Sequence, residues 1–134
     1  MTSTHTPEAA GAGDPRRALG SRGEALALAH LVRLGFELVA RNHRTRWGEI
    51  DLIVFDGRTL VFVEVKTRRA SGRAGSALEA VAPPKQHQVR RIAAAWLAEV
   101  SDRPRSAELR FDAIGVTVDA RGELLRLDHV EGAF

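Results

Sequence analysis

The chain has 134 residues, 44% of them hydrophobic, and its 20 basic and 17 acidic residues give a formal net charge of +3. This is enough apolar sequence for one compact domain with a buried core, which excludes a chain that is disordered throughout. The absence of cysteine excludes disulfides and thiolate metal sites, and the sequence shows neither a secretory leader nor a membrane-spanning run. We therefore expect a cytoplasmic protein with no membrane partner.

The N-terminal part of the sequence predicts a tail followed by a helix. Residues 1–13, MTSTHTPEAAGAG, are small and polar without apolar periodicity, so we interpret them as a disordered tail before a single domain over 14–134. Asp14 followed by Pro15 is typical of a helix start, and Gly35 is typical of a helix end. The first helix is therefore predicted between these two signals.

Three strand-like segments follow the helix in close succession. They are FELVARNHR, GEIDLIVFD and TLVFVEVKTR. Each is rich in β-branched and aromatic residues, and the Asp56-Gly57 pair between the second and third is a hairpin turn signal. The short connections predict an antiparallel meander.

The second half of the sequence predicts a helix and two further strands. The segment RASGRAGS is interpreted as a mobile basic loop, and Ser76 with Glu79 fits the capping box of a short helix. A longer helix is predicted from Lys85, with apolar residues at helical spacing: Val89, Ile92, Ala93, Trp96, Leu97 and Val100. The strands LRFDAIGVTV and ELLRLDHV complete an α/β fold, a mixed sheet flanked by helices in the order αβββαββ, and the long helix permits a parallel crossover.

Charged residues interrupt the apolar runs of two neighbouring predicted strands. Side chains alternate along a strand, so Phe62, Glu64 and Lys66 share one face of the third strand, and Glu49 and Asp51 share one face of the second. If the two strands pair through their turn, the carboxylates of Asp51 and Glu64 converge. Mg²⁺ prefers such oxygen ligands, and without a cation the two carboxylates repel each other.

This pattern resembles a known nuclease motif. The segment GEIDLIVFDGRTLVFVEVKTR resembles the core motif of the PD-(D/E)XK, or restriction-endonuclease-like, superfamily, with Asp51 as the aspartate and Glu64-Val65-Lys66 as the E-X-K. The longer blocks GEALALAHLVRLGFELVARNHRTRWGEIDLI, FVEVKTR, ALEAV...KQ and RFD resemble the YraN family of bacterial proteins. The latter resemblance extends from about Leu19 to the C-terminus. It implies the restriction-endonuclease-like fold.

The resemblance also implies roles for individual residues in an endonuclease dependent on Mg²⁺ or Mn²⁺. It implies that Asp51 and Glu64 bind the metal, with the Val65 carbonyl as a further ligand. Lys66 would position the attacking water or stabilise charge on the phosphate. Glu24 matches the helix glutamate of the family. The substrate class implied is DNA, including branched DNA by analogy with resolvases, which would place the protein in DNA repair or recombination.

Glu24 also stands out without the resemblance. It lies four residues before Leu28, on the helical stripe expected to face the sheet, and Gly20 and Gly23 would allow the helix to approach closely. A carboxylate at such a position requires a cation or another partner. Glu49 is an alternative metal ligand, because its side chain is expected on the same face of the strand as Asp51. In addition, the superfamily motif has a proline before its aspartate, whereas this chain has none before Asp51.

Basic residues around the predicted site are candidates for phosphate contacts. Of the 20 basic residues only Lys66 and Lys85 are lysines, and arginine is the better bidentate phosphate ligand. Trp47 either stacks on a base or covers the core. The predicted nucleic-acid contacts are Arg44, Arg46, Arg68, Arg69, Arg73, Lys85 and Gln86.

Simpler interpretations also remain open. Glu64 and Lys66 could form a structural salt bridge, and Asp112 in RFD is expected to be structural. The chain could bind nucleic acid without cutting it, or act as a scaffold for a protein partner. The sequence also allows a homodimer.

Overall fold

The computed structural model describes residues 14–71 and 83–134, and the predicted order αβββαββ is confirmed within them. The predicted tail over 1–13, most of the basic loop and the short helix at Ser76 lie outside the described residues. The elements are α1 (Pro15–Arg33), β1 (Glu37–Thr45), β2 (Gly48–Phe55), β3 (Thr59–Arg69), α2 (Pro83–Glu99), β4 (Glu108–Val118) and β5 (Leu124–Val130). No helix in the described ranges is long and apolar enough to cross a bilayer.

The five strands form one mixed sheet in the order β1-β2-β3-β4-β5. The pairs β1/β2, β2/β3 and β4/β5 are antiparallel, which confirms the predicted meander. Strands β3 and β4 are parallel, so the segment containing α2 makes the predicted crossover. Because of this order, β1 and β5 are the two edge strands of the sheet.

The signals read from the sequence at both ends of α1 are confirmed. The Asp14 carboxylate accepts the backbone N–H groups of Arg16 and Arg17, at 3.0 and 3.3 Å, which satisfies two of the free donors at the helix start. Gly35 adopts φ +101°, a left-handed conformation that favours glycine, and the Phe36 amide donates to the Leu31 carbonyl at 3.0 Å. The chain thereby turns back from α1 into β1.

One helix covers each face of the sheet. On one face Ala27 and Leu31 of α1 pack against the valines of β3, including Val61 and Val63. On the other face α2 packs against Phe62, whose ring meets Trp96 edge to face at 5.8 Å between centroids. The predicted alternation of side chains along β3 is therefore confirmed, and Glu64 and Lys66 follow Phe62 on the α2 side.

A single glycine sets the distance between α1 and β3. A Cβ atom at Gly23 would lie 1.7 Å from Thr67 Oγ1 and 2.6 Å from Thr67 Cβ, so the helix could not approach this closely with any other residue. Gly20, one turn earlier, has nothing within 4 Å of an added Cβ. The prediction of close approach is thus confirmed for Gly23 and wrong for Gly20.

We expect Gly23→Ala to destabilise the protein by about 1–3 kcal/mol, because Thr67 is β-branched and cannot rotate away from the new methyl group. Gly20→Ala is the matched control and should raise stability by about 0.5–1 kcal/mol, since it removes a helical glycine without a clash. Urea denaturation of both variants measures the difference. Equal effects of the two substitutions would contradict the close packing of α1 at Gly23.

Asp112 is structural, as expected from the sequence. It is fully buried, and its carboxylate accepts hydrogen bonds from Arg110 Nε at 2.9 Å, from His129 Nε2 at 2.8 Å and from the Gly132 amide at 3.0 Å. Burial alone would raise the pKa of Asp112, but these hydrogen bonds outweigh it and lower the pKa. His129 Nδ1 also lies 3.0 Å from His30 Nε2, which connects β5 to α1.

Candidate metal centre and nucleic-acid interface

Three carboxylates from two elements meet at the end of the sheet where β2 begins. Glu24 lies on α1, and Glu49 and Asp51 lie on β2. One oxygen of each carboxylate lies within 4.8 Å of the others, close enough for all three to contact one cation. We call this group the acidic cluster. Glu24 and Asp51 were predicted site residues, and Glu49 was the alternative ligand.

The acidic cluster forms where β2 separates from β3. Pairing of the two strands begins at Leu52 with Val63, one residue after Asp51. Asp51 Oδ2 instead accepts the backbone N–H of Val65 at 2.7 Å, so the carboxylate satisfies a donor that the diverging strand leaves free. This hydrogen bond anchors Asp51 at the fork.

The fork also changes which way the side chains of β2 point. Ile50 packs in the core under α2, whereas Leu52 packs in the core under α1, so strict alternation does not hold across Asp51. Asp51 therefore meets Glu24 of α1. The predicted convergence of Asp51 with Glu64 assumed regular pairing of the two strands, which starts only after Asp51. The charge of Glu64 nevertheless raises the pKa of Asp51, so the two carboxyl groups lie near each other, and their sharing of one cation stays a prediction.

Burial and repulsion between carboxylates raise the pKa of two residues of the acidic cluster, Asp51 and Glu24. Asp51 is 8% exposed, and burial together with the nearby charge of Glu64 raises its pKa to about 8, although the Val65 hydrogen bond acts in the opposite direction. Burial, followed by the charge of Glu49, raises the pKa of Glu24 as well. Asp51 thus holds a proton near neutral pH unless a cation takes its place.

Two further polar residues support the acidic cluster. Arg44 Nε donates to Glu49 Oε2 at 2.9 Å, and the Asn42 side chain hydrogen-bonds to Glu24. Asn42 has φ +53°, a conformation in which asparagine is enriched among non-glycine residues. Sequence reasoning missed Asn42, and an asparagine inside a strand-like segment was the signal that could have identified it.

An open cleft of about 520 Å³ leads to the acidic cluster. Two exposed arginines and two carboxylate residues contribute to its lining, which consists of Arg17, Gly20, Ser21, Glu24, Asn42, Arg44 and Glu49. Arg17 was not predicted as a site residue. Acidic and basic groups in one cleft can receive a cation together with an anionic substrate.

The two charged residues of β3 have different environments. Glu64 is 9% exposed and lies close enough to Asp51 to raise its pKa, although it is not one of the three residues of the acidic cluster. Lys66 is exposed, and within residues 14–71 and 83–134 its ammonium forms no ion pair or hydrogen bond. The proposed Glu64–Lys66 salt bridge is therefore not formed. Val65 contributes its amide to the site, and metal binding by its carbonyl remains a prediction.

Comparison with known proteins identifies the family. The model of a family described as "uncharacterised protein family UPF0102" matches residues 23–116. This range includes the whole acidic cluster as well as Glu64 and Lys66. The chain belongs to the UPF0102 family. UPF0102 is the YraN family, so the resemblance noted in the sequence is confirmed at this level.

Relatives in this family align over nearly their full length. A UPF0102 protein of Frankia casuarinae is 48% identical over 118 residues, covering 87% of this chain and 96% of the relative. A UPF0102 protein of Geobacter sulfurreducens is 46% identical over 116 residues, covering 87% of this chain and 88% of the relative. The site therefore lies within the part of the chain shared with these UPF0102 proteins.

The structure distributes the predicted phosphate contacts of this UPF0102 chain over different environments. Arg44 lines the cleft, and the Arg46 guanidinium lies 4.6 Å from the centre of the Trp47 ring. Arg69 Nη1 donates to two carbonyls in the β4–β5 turn, at 3.1 and 3.3 Å, and is therefore engaged within the fold.

The remaining predicted contacts lie at the end of β3 and in α2. Arg68 is half-buried, and so is Gln86 in the first turn of α2. Arg73 and the side chain of Lys85 lie outside the described residues. Among the predicted contacts, Arg44 and Arg46 are exposed and lie within five residues of Glu49 in the sequence. They are therefore the described candidates nearest to the acidic cluster along the chain.

Proposed function

We propose that this UPF0102 protein is a nuclease of the PD-(D/E)XK superfamily that uses Mg²⁺ or Mn²⁺ to hydrolyse phosphodiester bonds in DNA. The observation that carries the proposal is the anchored acidic cluster at the β2–β3 fork, adjacent in the sheet to Glu64 and to Lys66, whose ammonium has no partner among the described residues. A structural role alone does not account for three carboxylates held together where burial opposes the ionisation of two of them, Asp51 and Glu24.

The residues present suit a hard divalent cation. All the candidate ligands are carboxylate oxygens, which Mg²⁺ and Mn²⁺ prefer, whereas Zn²⁺ sites of proteins are usually built from histidine and cysteine. Glu24, Glu49 and Asp51 would hold the ion, and the nearby Glu64 remains a further candidate ligand. When bound, the metal would polarise a phosphoryl oxygen and lower the pKa of a water molecule.

The chain itself supplies the other functions that hydrolysis needs. Lys66 presents an ammonium on the exposed end of β3, where it can donate to a non-bridging phosphate oxygen and stabilise the charge that develops during attack. Glu24 lies beside the proposed metal ligands Glu49 and Asp51, where its carboxylate can help to hold the ion and orient the attacking water. Arg44, which lines the cleft, can position the DNA backbone.

The substrate class follows from the resemblance and from charge. Arginine-rich surfaces around an open cleft suit the phosphates of DNA, and the likeness to resolvases extends the proposal to branched DNA, to a role in DNA repair or recombination, and to action as a homodimer. DNA as substrate also implies a cytoplasmic location.

The test is cleavage of a panel of single-stranded, duplex, flap and four-way DNA by the purified protein. We expect strand scission with Mg²⁺ or Mn²⁺ that is absent with chelator and absent from Asp51→Asn. Binding without metal-dependent scission would instead identify a non-cutting nucleic-acid-binding protein. If the protein binds none of these DNAs at any salt concentration, both the nuclease and the non-cutting DNA-binding protein are contradicted, and a protein partner is favoured.

A further inference from the structure

The turn between β1 and β2 is held rigidly against the N-terminal half of α2. Thr45 Oγ1 accepts the Trp47 amide and donates to the Gly48 carbonyl, each at 3.1 Å. The Gln88 side-chain amide donates to the Trp47 carbonyl. Gly48 has φ +132°, and a Cβ atom there would lie 2.5 Å from Gln88 Nε2. The positive φ of Gly48 favours glycine at this point of the turn.

The contact leaves a cavity of about 240 Å³ between the turn and the helix. Trp47, His87, Gln88 and Arg91 line it. An indole ring thus stands beside three side chains with nitrogen hydrogen-bonding groups, at the protein surface. Arg46 lies over the indole, with its guanidinium 4.6 Å from the ring centre. We call this site the Trp47 pocket.

The core alone does not explain this arrangement. Trp47 is half-buried and contacts the core under α2, which an aliphatic side chain could also do. The surrounding polar and cationic groups are not needed for packing. An aromatic face beside hydrogen-bonding side chains and arginine is the combination that binds nucleobases, because stacking supplies energy and the arginine contacts the backbone phosphate.

We infer that the Trp47 pocket binds an unpaired nucleobase of the DNA substrate, an inference that rests on the proposed function for its choice of nucleic acid. The base must be unpaired because stacking on Trp47 needs a free π-face and the lining groups need a free base edge. Trp47 lies in the turn that leads into β2, two residues before Glu49 of the acidic cluster, so the pocket and the cluster are neighbours in the chain. DNA with unpaired nucleotides is therefore the preferred substrate.

The position of the tryptophans allows a direct measurement. Trp47 and Trp96 are the two tryptophans of the chain, and Trp96 is 3% exposed within the core. We expect oligothymidylate, titrated into the full-length protein in chelator, to quench tryptophan fluorescence to saturation. A blunt duplex should produce much less quenching. In Trp47→Phe, which retains an apolar ring to cover the core, the remaining signal from Trp96 should not respond.

Two variants separate stacking from charge. Trp47→Ala should weaken oligothymidylate binding about 5- to 150-fold, the range expected for loss of one stacked base, while the salt dependence stays the same. Arg46→Ala should retain the quenching and reduce the salt slope by about 1. Leu125→Ala is the control, because Leu125 is an exposed apolar residue of β5 at the opposite edge of the sheet, and its binding should match the parent.

The inference would be overturned if duplex and single-stranded DNA quenched the fluorescence equally. It would also be overturned if the parent, Trp47→Phe and Trp47→Ala all bound oligothymidylate with the same affinity. These binding measurements use no metal, so they are independent of cleavage. A parent protein that shows Trp47-dependent binding but never cuts would refute the nuclease proposal and leave the pocket standing. A parent that cuts while its Trp47 variants bind and cut equally well would refute the pocket alone.

Discussion

Lys66→Arg will cut DNA no faster than Lys66→Met, and both variants will lose at least about 10²-fold in cleavage rate, the usual cost of removing one group that stabilises transition-state charge. The arginine retains the positive charge, but its planar guanidinium is larger and cannot occupy the place of a compact ammonium beside water and metal. Lys66 is exposed and forms no ion pair among the described residues, so both variants should unfold within about 0.5 kcal/mol of the parent.

Single-turnover cleavage with Mn²⁺ and urea denaturation of the same preparations measure the two effects. Arg105→Met is a suitable control, because it removes an exposed positive charge in the connection between α2 and β4, away from the acidic cluster. Full activity of Lys66→Arg would show that only charge matters at this position. A loss of several kcal/mol of stability in Lys66→Met would show that the lysine is structural.

The fold could be predicted from the sequence because its signals are local and agree with one another. Asp14 and Gly35 define the first helix, the Asp56-Gly57 turn pairs β2 with β3, and the apolar spacing from Val89 onwards defines α2. Each signal depends on hydrogen bonds or side-chain periodicity within a few residues. The parallel pairing of β3 with β4 then follows from the length of the crossover.

The site could be predicted only in part because its geometry depends on departures from regular structure. Alternation predicted that Asp51 and Glu64 converge, and the effect of Glu64 on the pKa of Asp51 agrees with this. Alternation did not predict that Asp51 also meets Glu24 and accepts the Val65 amide where β2 separates from β3. The left-handed Asn42 that supports Glu24 is likewise a tertiary feature. Strand twist and divergence arise from packing across the whole sheet, so a sequence segment of about ten residues does not indicate where they occur.

Arginine positions were the least predictable. Composition identifies many candidate phosphate contacts, but it does not show which guanidinium groups the fold already uses. Arg69 donates to carbonyls of the β4–β5 turn, and Arg110 is paired with the buried Asp112. Only the folded chain distinguishes these from an exposed arginine such as Arg46, which lies over an aromatic ring at the surface.

Asp51→Asn will leave the metal-free protein as stable as the parent or make it more stable. Asparagine can still accept the Val65 hydrogen bond through its side-chain oxygen, and its amide group faces Glu24 and Glu49 without adding a third negative charge. If Asp51 instead neutralised a buried cation, its loss would leave that charge unpaired and cost about 3–5 kcal/mol.

The pH dependence of the metal-free proteins should show the same difference. Burial and Glu64 raise the pKa of Asp51 to about 8 in the folded protein. The unfolded chain releases this proton near its ordinary pKa of about 4, so folded Asp51 binds more protons between these values and parent stability falls as pH rises from about 4 to about 8. Asp51→Asn lacks this contribution, and its advantage over the parent should therefore grow with pH. Asp102→Asn, at an exposed acidic residue, should retain the slope of the parent.

Thermal unfolding of the parent and Asp51→Asn, each with chelator and with saturating Mn²⁺, tests the metal centre most directly and needs no substrate. Binding to the native state alone stabilises a protein by about 2.7 kcal/mol when the ligand is at 100 times its dissociation constant. We predict that Mn²⁺ raises the melting temperature of the parent and not of the variant, and that the variant in chelator melts at or above the parent. A parent indifferent to Mn²⁺, beside a variant much less stable in chelator, would contradict the metal centre.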